Sequence, residues 1–243
     1  MTGLPRHTRR LAILGYHKVG EPPGCWGTWS YVSEGKFEGD LRFLHKQGWS
    51  VIDVSTLVAG LDDQEALPMN AALITFDDGY RSNLEIAAPI LHKFGYPAVV
   101  FVPTEFVGGC NSFDTDIQYE PHEATCGWDE LSDLERKGIS VQSHGVSHRH
   151  FSKLSRNEQE YELVASKEVI ESRLGKCVEL FSFPYGDYGG DSQVSGDMLA
   201  RCGYRGACLY GGGPMQPPLN DRFRLERVAV GPDTDLASEL RKG

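Results

Sequence analysis

Two short segments of this chain carry residue types that together can bind a catalytic metal ion. Thr75–Tyr80 (TFDDGY) ends an apolar stretch with two adjacent carboxylates, and Ser143–His148 (SHGVSH) offers two imidazoles four positions apart. One carboxylate and two imidazoles form a three-ligand set that leaves coordination positions for water. The other carboxylate is then available as a base, so the combination predicts metal-assisted hydrolysis.

Each half of this set also has a simpler interpretation. Side chains alternate along a strand, so Asp77 and Asp78 are expected to point in different directions, one to a metal and one to substrate. An isolated Asp-Asp-Gly is more commonly a solvated turn, and two histidines flanked by serines also fit a polar surface loop. His144 and His148 can chelate jointly from one helical turn or a tight loop. Taken with Asp78, they predict the metal ligands.

Apolar runs of strand length alternate with helical patterns along most of the chain. The predicted strands are Leu11–Tyr16, Ser50–Val54, Ala72–Phe76, Ala98–Val102, Ile139–Ser143, Leu180–Phe183, Gly206–Leu209 and Leu225–Val230. The predicted helices are Phe37–Gln47, Asn83–Lys93, Asp129–Lys137, Arg156–Leu174 and Ser192–Arg201. This alternation predicts one α/β domain over residues 1–243, with a parallel sheet. About eight strands favour a closed or nearly closed barrel with catalytic groups after the strands, where both motifs lie.

Composition narrows the classes of partner. A net charge of −10 disfavours nucleic acid and anionic membranes. No apolar stretch is long enough to span a membrane. The run after the basic N-terminus is too short for a signal-peptide core, so a cytoplasmic location is expected, or an extracellular or periplasmic one if a leader has been removed.

Residues 108–126 (Gly108–Cys126) form a long irregular segment of mixed polar and aromatic residues. It is expected to be an inserted loop at the active-site face that shapes substrate access. The six cysteines show no paired spacing typical of metal sites. Cys110 and Cys126 bracket this loop and could pair in an oxidising compartment, whereas free thiols fit a cytosolic protein.

The motifs resemble those of the polysaccharide deacetylases, the NodB-homology domain of carbohydrate esterase family 4. The resemblance covers nearly the whole chain and includes Tyr96–Pro103 (YPAVVFVP), Gly127–Gly138 and Phe181–Gly186 (FSFPYG). It implies a distorted (β/α) barrel of about seven to eight strands. The reaction it implies is removal of N-acetyl groups from an N-acetylated sugar or polysaccharide, such as N-acetylglucosamine polymers, with release of acetate.

The resemblance also implies roles for individual residues. By it, Asp77 is the catalytic base, and Asp78, His144 and His148 hold a divalent metal. Zn²⁺ is the first candidate, with Co²⁺, Ni²⁺ and Mn²⁺ as alternatives. A backbone N–H near Tyr185 is expected to help hold the oxyanion, and Tyr185 is expected to bind substrate. Aromatic rings that could stack on sugars, or simply pack, are Trp26, Trp29, Tyr119, Trp128 and Tyr185.

The chain departs from the family pattern in two places. Many members carry an arginine three residues before the tyrosine of the FSFPYG segment, where this chain has Ser182. Arg227 is the candidate replacement partner of Asp77, although a surface arginine at a strand end fits the same position. No Leu-x-His motif lies near the C-terminus. Instead, Leu14–Val19 (LGYHKV) resembles an N-terminal segment found in enzymes of poly-β-1,6-N-acetylglucosamine biosynthesis, which implies that His17 is the general acid.

Three functions therefore fit the sequence. The leading one is a metal-dependent N-deacetylase with a carbohydrate substrate. The second is an allantoinase-like hydrolase of cyclic amides or imides, which keeps the metal and water but changes the substrate. The third is a non-catalytic carbohydrate-binding relic. The absence of an arginine at the position of Ser182 favours it, and the complete set of base, ligands and acid opposes it. The linkage of the sugar and the oligomeric state are left open by the sequence.

Overall fold

A curled, all-parallel β-sheet forms the centre of the protein. The computed structural model describes residues 8–23, 29–113 and 121–242. The strands are β1 (Arg10–Tyr16), β2 (Lys18–Val19), β3 (Tyr31–Val32), β4 (Ser50–Val51), β5 (Asn70–Phe76), β6 (Ala98–Val102), β7 (Ile139–Ser143), β8 (Leu180–Ser182), β9 (Gly206–Cys208) and β10 (Val228–Ala229). The main sheet has the order β10-β1-β5-β6-β7-β8-β9, with β4 also paired to β5, and β2 pairs separately with β3. This is the distorted barrel that the alternation of strands and helices predicts.

The segment around β10 links the two ends of the sheet. Leu225 makes a parallel bridge to Cys208 in β9. Three residues later, Val228 pairs with Leu14 in β1. The predicted strand Leu225–Val230 is therefore divided between two neighbours, and only its second half belongs to a regular strand. Arg227 lies between the two contacts.

Helices pack around the sheet. They are α1 (Glu34–Lys46), α2 (Val54–Asp62), α3 (Ala88–Phe94), α4 (Trp128–Arg136), α5 (Arg156–Leu174), α6 (Ser192–Arg201) and α7 (Leu236–Glu239). The predicted bounds of α5 and α6 are confirmed. Ser155 caps α5 in a reciprocal pair with Glu158, which satisfies N–H groups that the first turn leaves open. The predicted helix Asn83–Lys93 instead begins with a π-helical segment, Asn83–Ala87, before α3.

The sheet is buried on both faces, as its continuous apolar strands predict. In β1, Ala12 and Leu14 belong to one apolar cluster, together with side chains of α1 and α5. Leu11 and Ile13 belong to a second cluster, together with side chains of α2. This packing aligns the strands and brings their carboxyl ends to one edge.

Cys110 and Cys126 are both free thiols. Across the described residues, no helix combines the length and apolar character needed to cross a membrane.

Candidate active site

The carboxyl ends of β1, β5 and β7 bring the predicted site residues together. Tyr16 at the end of β1 is in register with Phe76 at the end of β5, so the residues that follow them, His17 and Asp77, emerge side by side. Ser143 ends β7 in register with Val102 of β6 and is followed directly by His144. The two motifs are far apart in the chain, and the parallel strands bring them together at one edge of the sheet.

Asp78, His144 and His148 form a compact, buried group of possible metal ligands. One ligand atom from each lies within 4.8 Å of the others. Asp78 Oδ1 is 3.2 Å from His148 Nε2 and 3.6 Å from His144 Nε2. This oxygen is buried and accepts no hydrogen bond from the described residues. A buried carboxylate oxygen that converges with two imidazole nitrogens fits a divalent metal such as Zn²⁺.

Unusual backbone conformations turn these ligands towards each other. Asp78 has φ 72° and His148 has φ 54°, and both therefore occupy the left-handed region that non-glycine residues rarely adopt. Strand β5 ends at Phe76, so simple alternation along a strand does not explain how Asp77 and Asp78 diverge. The left-handed turn at Asp78 does. Strain of this kind persists where surrounding contacts hold it, commonly at ligand-binding sites.

Hydrogen bonding and burial fix the tautomer and the charge of His144. Its Nδ1 lies 2.7 Å from the carbonyl oxygen of Ser182, so Nδ1 carries the proton and the lone pair of Nε2 could bind a metal. Burial lowers the pKa of His144 to about 4, and the imidazole is therefore neutral at physiological pH. Burial alone would raise the pKa of Asp78, but the nearby histidines, His148 first, lower it below its ordinary value.

Arg227 is buried against Asp77, as predicted. Its Nη1 and Nη2 donate to the two carboxylate oxygens at 2.8 and 2.6 Å. Nη2 also donates to Ser182 Oγ at 2.9 Å, so the residue at the position of the absent arginine contacts the arginine that replaces it. Burial would raise the pKa of Asp77, but the charge of Arg227 lowers it, and Asp77 is therefore ionised. The alternative of a surface arginine is wrong, because Arg227 is fully buried.

His17 lies beside the carboxylate of Asp78. Its Nε2 is 3.9 Å from Asp78 Oδ2. The rings of Trp29 and Tyr210 pack against its imidazole with centroid separations of 4.9 and 5.2 Å. Its backbone carbonyl accepts a 2.8 Å hydrogen bond from Asn83 Nδ2, in the π-helical segment that follows the aspartate pair. Burial lowers the pKa of His17, against the opposing effect of Asp78 and Asp77.

These groups line one cavity of about 360 Å³. Its lining residues are His17, Trp29, Ser30, Asp77, Asp78, Tyr80, His144, His148, Tyr185 and Tyr210. Trp29 and Tyr185 are 55 % and 41 % exposed, so the mouth of the cavity carries two accessible aromatic rings. Tyr185 stacks on His150 at 4.0 Å and meets the edge of His148 at 4.7 Å.

The other aromatic candidates differ in position. Trp128 is at the start of α4 and packs against the apolar core rather than lining the cavity. Trp26 and Tyr119 lie outside the described residues. Within the predicted inserted loop, Phe113 reaches the site, since its ring is 4.3 Å from that of His148.

Tyr210 is a cavity residue that the sequence did not single out. It follows β9 in a Gly/Pro-rich stretch and carries no motif of its own. Its ring packs 5.1 Å from the guanidinium carbon of Arg227 as well as against His17. Its position after a strand of the barrel is the one signal that could have suggested it.

Fold and site together define a class of protein: a (β/α) barrel with a buried carboxylate–histidine group at the carboxyl ends of its strands. The family model described as polysaccharide deacetylase matches residues 64–207, more than half of the chain. The chain therefore belongs to the polysaccharide deacetylase family.

Individual relatives agree with this assignment. The chain is 25 % identical over 224 residues to the Bacillus subtilis (strain 168) protein named "Putative polysaccharide deacetylase YxkH", covering 92 % of this chain and 72 % of the relative. Its fold is similar to that of the Streptococcus pyogenes deacetylase PplD in complex with acetate (TM-score 0.81, 20 % identity, 96 % of this chain and 99 % of that chain). It is also similar in fold to IcaB from Ammonifex degensii (TM-score 0.77, 22 % identity, 93 % of both chains).

Proposed function

We propose that this protein is a metal-dependent N-deacetylase that hydrolyses the acetamide of an N-acetylated sugar or polysaccharide. The observation that carries the proposal is the convergence of Asp78, His144 and His148 beside Asp77, which is ionised and held by Arg227. Family membership supports the reaction class. Two exposed aromatic rings at the cavity mouth support a sugar substrate, because the apolar faces of sugars pack on such rings.

In this proposal Asp78, His144 and His148 hold a divalent metal, with Zn²⁺ as the first candidate. A bound metal ion of this kind polarises a carbonyl and lowers the pKa of water towards neutrality. The neutral state of His144 and the ionised state of Asp78 are the forms that ligate metals, so these two residues do not have to lose protons at physiological pH.

Asp77 is the proposed general base. Its carboxylate takes a proton from the attacking water as the new C–O bond forms. The two hydrogen bonds from Arg227 keep the carboxylate ionised and fix its orientation. The tetrahedral oxyanion is expected near the Tyr185 segment, whose backbone N–H is the proposed donor.

His17 is the proposed general acid. The C–N bond of the tetrahedral adduct breaks only when the nitrogen is protonated, since an amide anion is a very poor leaving group. Burial lowers the pKa of His17, so the imidazole has to take up a proton from solvent before it can act as the acid. Once protonated, it is a stronger acid than an ordinary imidazole and gives up its proton readily to the leaving nitrogen. The products are acetate and the free amine of the sugar.

Acetate release tests this function directly. Purified protein loaded with Zn²⁺ or Co²⁺ is incubated with N-acetylglucosamine oligomers and with monomeric N-acetyl sugars, and Asp77→Asn is the control. Release by the parent and loss in the control is the expected result. A metal-bound protein that releases no acetate from any sugar would contradict the proposal, and turnover of a cyclic amide or imide by that protein would identify the alternative hydrolase.

A further inference from the structure

A buried carboxylate on helix α5, that of Glu162, contacts the loop that carries both histidines. Its Oε2 accepts hydrogen bonds from the backbone N–H groups of Val146 and Ser147 at 2.6 and 2.9 Å. Its Oε1 accepts one from Ser147 Oγ at 2.5 Å. All three donors lie between His144 and His148, so this carboxylate binds the backbone that links the two imidazoles.

The burial of Glu162 makes these hydrogen bonds energetically important. The residue is 4 % exposed, and no lysine or arginine among the described residues forms an ion pair with it. Burying an unpaired carboxylate is costly unless hydrogen bonds to the charged form compensate. Hydrogen bonds to an ionised acceptor are about twice as strong as neutral ones. Among the described residues, the hydrogen bonds that compensate for burying the Glu162 carboxylate all come from the histidine loop.

The opposite side of the loop is held by backbone hydrogen bonds. Thr104 N donates to the carbonyl oxygen of Gly145, and Glu105 N donates to that of Val146, both at 3.0 Å. The loop is therefore fixed between the turn that follows β6 and the buried face of α5.

A close approach at Gly145 keeps the carboxylate near the loop. A Cβ atom there would lie 2.9 Å from Glu162 Oε2, and the residue has φ 82°, so only glycine fits. Beyond it, His148 adopts its left-handed conformation, which costs about 1–3 kcal/mol and needs surrounding contacts to persist. Glu162 supplies contacts at the two residues immediately before His148.

We propose that Glu162 is a positioning residue for the metal site: it orders the loop so that His148 meets Asp78 and His144 in ligating geometry. The inference rests on the proposed metal-dependent function. Glu162 does not contact the metal or the substrate in this proposal. It acts through Val146 and Ser147, as partners behind metal ligands do when they set ligand orientation.

Metal affinity, measured without substrate, tests the role. Co²⁺ and Zn²⁺ are titrated into the purified, metal-free full chain, and the visible absorption of bound Co²⁺ reports the ligand geometry. Glu162→Gln keeps the size of the side chain but loses the charge and one acceptor. We expect its Kd for Co²⁺ to rise about 10-fold or more, with a changed Co²⁺ spectrum.

A second glutamate on the same helix provides the matched control. Glu171 also accepts a backbone hydrogen bond, from Val178 N at 2.8 Å, but the segment it holds leads into β8. Glu171→Gln is expected to lower thermal stability and leave the Co²⁺ Kd within about twofold of the parent value. Equal weakening of metal binding in both variants would overturn the proposal, because the effect would then be general destabilisation.

Ser147→Ala keeps the inference testable if Glu162→Gln fails to fold. It removes one of the three bonds to Glu162 and leaves both backbone donors in place. We expect a smaller rise in the Co²⁺ Kd, in the same direction. If Glu162→Gln folds and its Co²⁺ Kd is unchanged, the proposal is overturned. If Glu162→Gln does not fold, an unchanged Co²⁺ Kd in Ser147→Ala overturns it instead. A parent protein that binds metal but releases no acetate would instead contradict the proposed function and leave this inference standing.

Discussion

Arg227 donates to both carboxylate oxygens of Asp77 from a position 150 residues away in the chain. Its other hydrogen bonds go to Leu209 O, Thr75 Oγ1 and Ser182 Oγ, so all five guanidinium N–H groups have acceptors. A guanidinium therefore reaches the aspartate from the segment that links β9 to β1, whereas many family members supply it from the position of Ser182. The small serine leaves room for it and adds an acceptor.

The geometry of this pair predicts the effect of replacing Arg227. Arg227→Met leaves the carboxylate of Asp77 buried without its partner, and we expect a loss of about 3–5 kcal/mol in the free energy of unfolding. Arg227→Lys keeps a charge but cannot reproduce the two parallel bonds. It should retain more stability than Arg227→Met and still lose much of its turnover. Urea unfolding and acetate release measure the two effects. Full turnover in Arg227→Lys would show that the two parallel hydrogen bonds from the guanidinium to Asp77 are not needed.

The two adjacent aspartates should separate metal binding from turnover. Asp78→Ala removes a ligand, so tight metal binding and activity are expected to be lost together. Asp77→Asn should keep the metal and lose about 10²–10⁴-fold in kcat, because the general base is removed. Metal content after dialysis and acetate release provide the measurements. Tight metal binding by Asp78→Ala would rule out its assignment as a ligand, and full activity of Asp77→Asn would rule out a base at that position.

Many of the helices and strands can be predicted from the local sequence pattern. Helix α5 is predicted to the residue, because a capping pair marks its start and Gly175 with a left-handed backbone ends it. Helix α2 is missed: the run Ser50–Val54 predicts a strand, but the strand covers only Ser50–Val51, and Asp53 caps the helix by accepting a hydrogen bond from Thr56 N. Val54, Leu57, Val58 and Leu61 do recur at helical spacing, but Val54 also continues the apolar run of the preceding strand, which hides the start of the helix. Strands β2 and β3 have two residues each and are too short for a pattern to show.

The residues of the site also include some that the sequence predicts and some that it does not. Asp77, Asp78, His144 and His148 stand out because each motif joins chemically capable residues at short spacing. Glu162 has no such signal, because its role depends on contact between a helix and a loop 15–16 residues earlier in the chain. One hint exists: polar residues occupy the buried face of α5, which an ordinary packing helix would fill with apolar ones.

The free energy of unfolding of the metal-free protein should depend on pH because the pKa of His144 is lowered in the folded state. Its pKa is about 4 in the folded state and 6.5 as the ordinary value, so the unfolded chain takes up a proton first as pH falls. Stability that is complete above pH 6.5 should therefore decrease down to pH 4, by about 3 kcal/mol. Urea unfolding in the presence of a chelator measures this change. His144→Gln should flatten the profile across that window, and an unchanged slope would contradict the burial of a neutral imidazole.

The leaving group offers the sharpest test of His17. A general acid matters when the departing group is a poor one, as the amine of an acetamide is, and matters little for an aryl acetate whose phenolate leaves unaided. His17→Gln is therefore expected to lose about 10²–10⁴-fold in kcat on an N-acetyl sugar and to stay close to the parent on 4-nitrophenyl acetate.

Asn83→Ala serves as the companion variant, because the side chain of Asn83 donates a hydrogen bond to the backbone carbonyl of His17. The substitution should slow the amide reaction selectively, as His17→Gln does, but by a smaller factor. Parallel rates for both substrates with each variant make the comparison. Equal losses on the amide and the ester would assign His17 to holding the shape of the cavity, through its contacts with Trp29 and Tyr210, in place of proton donation.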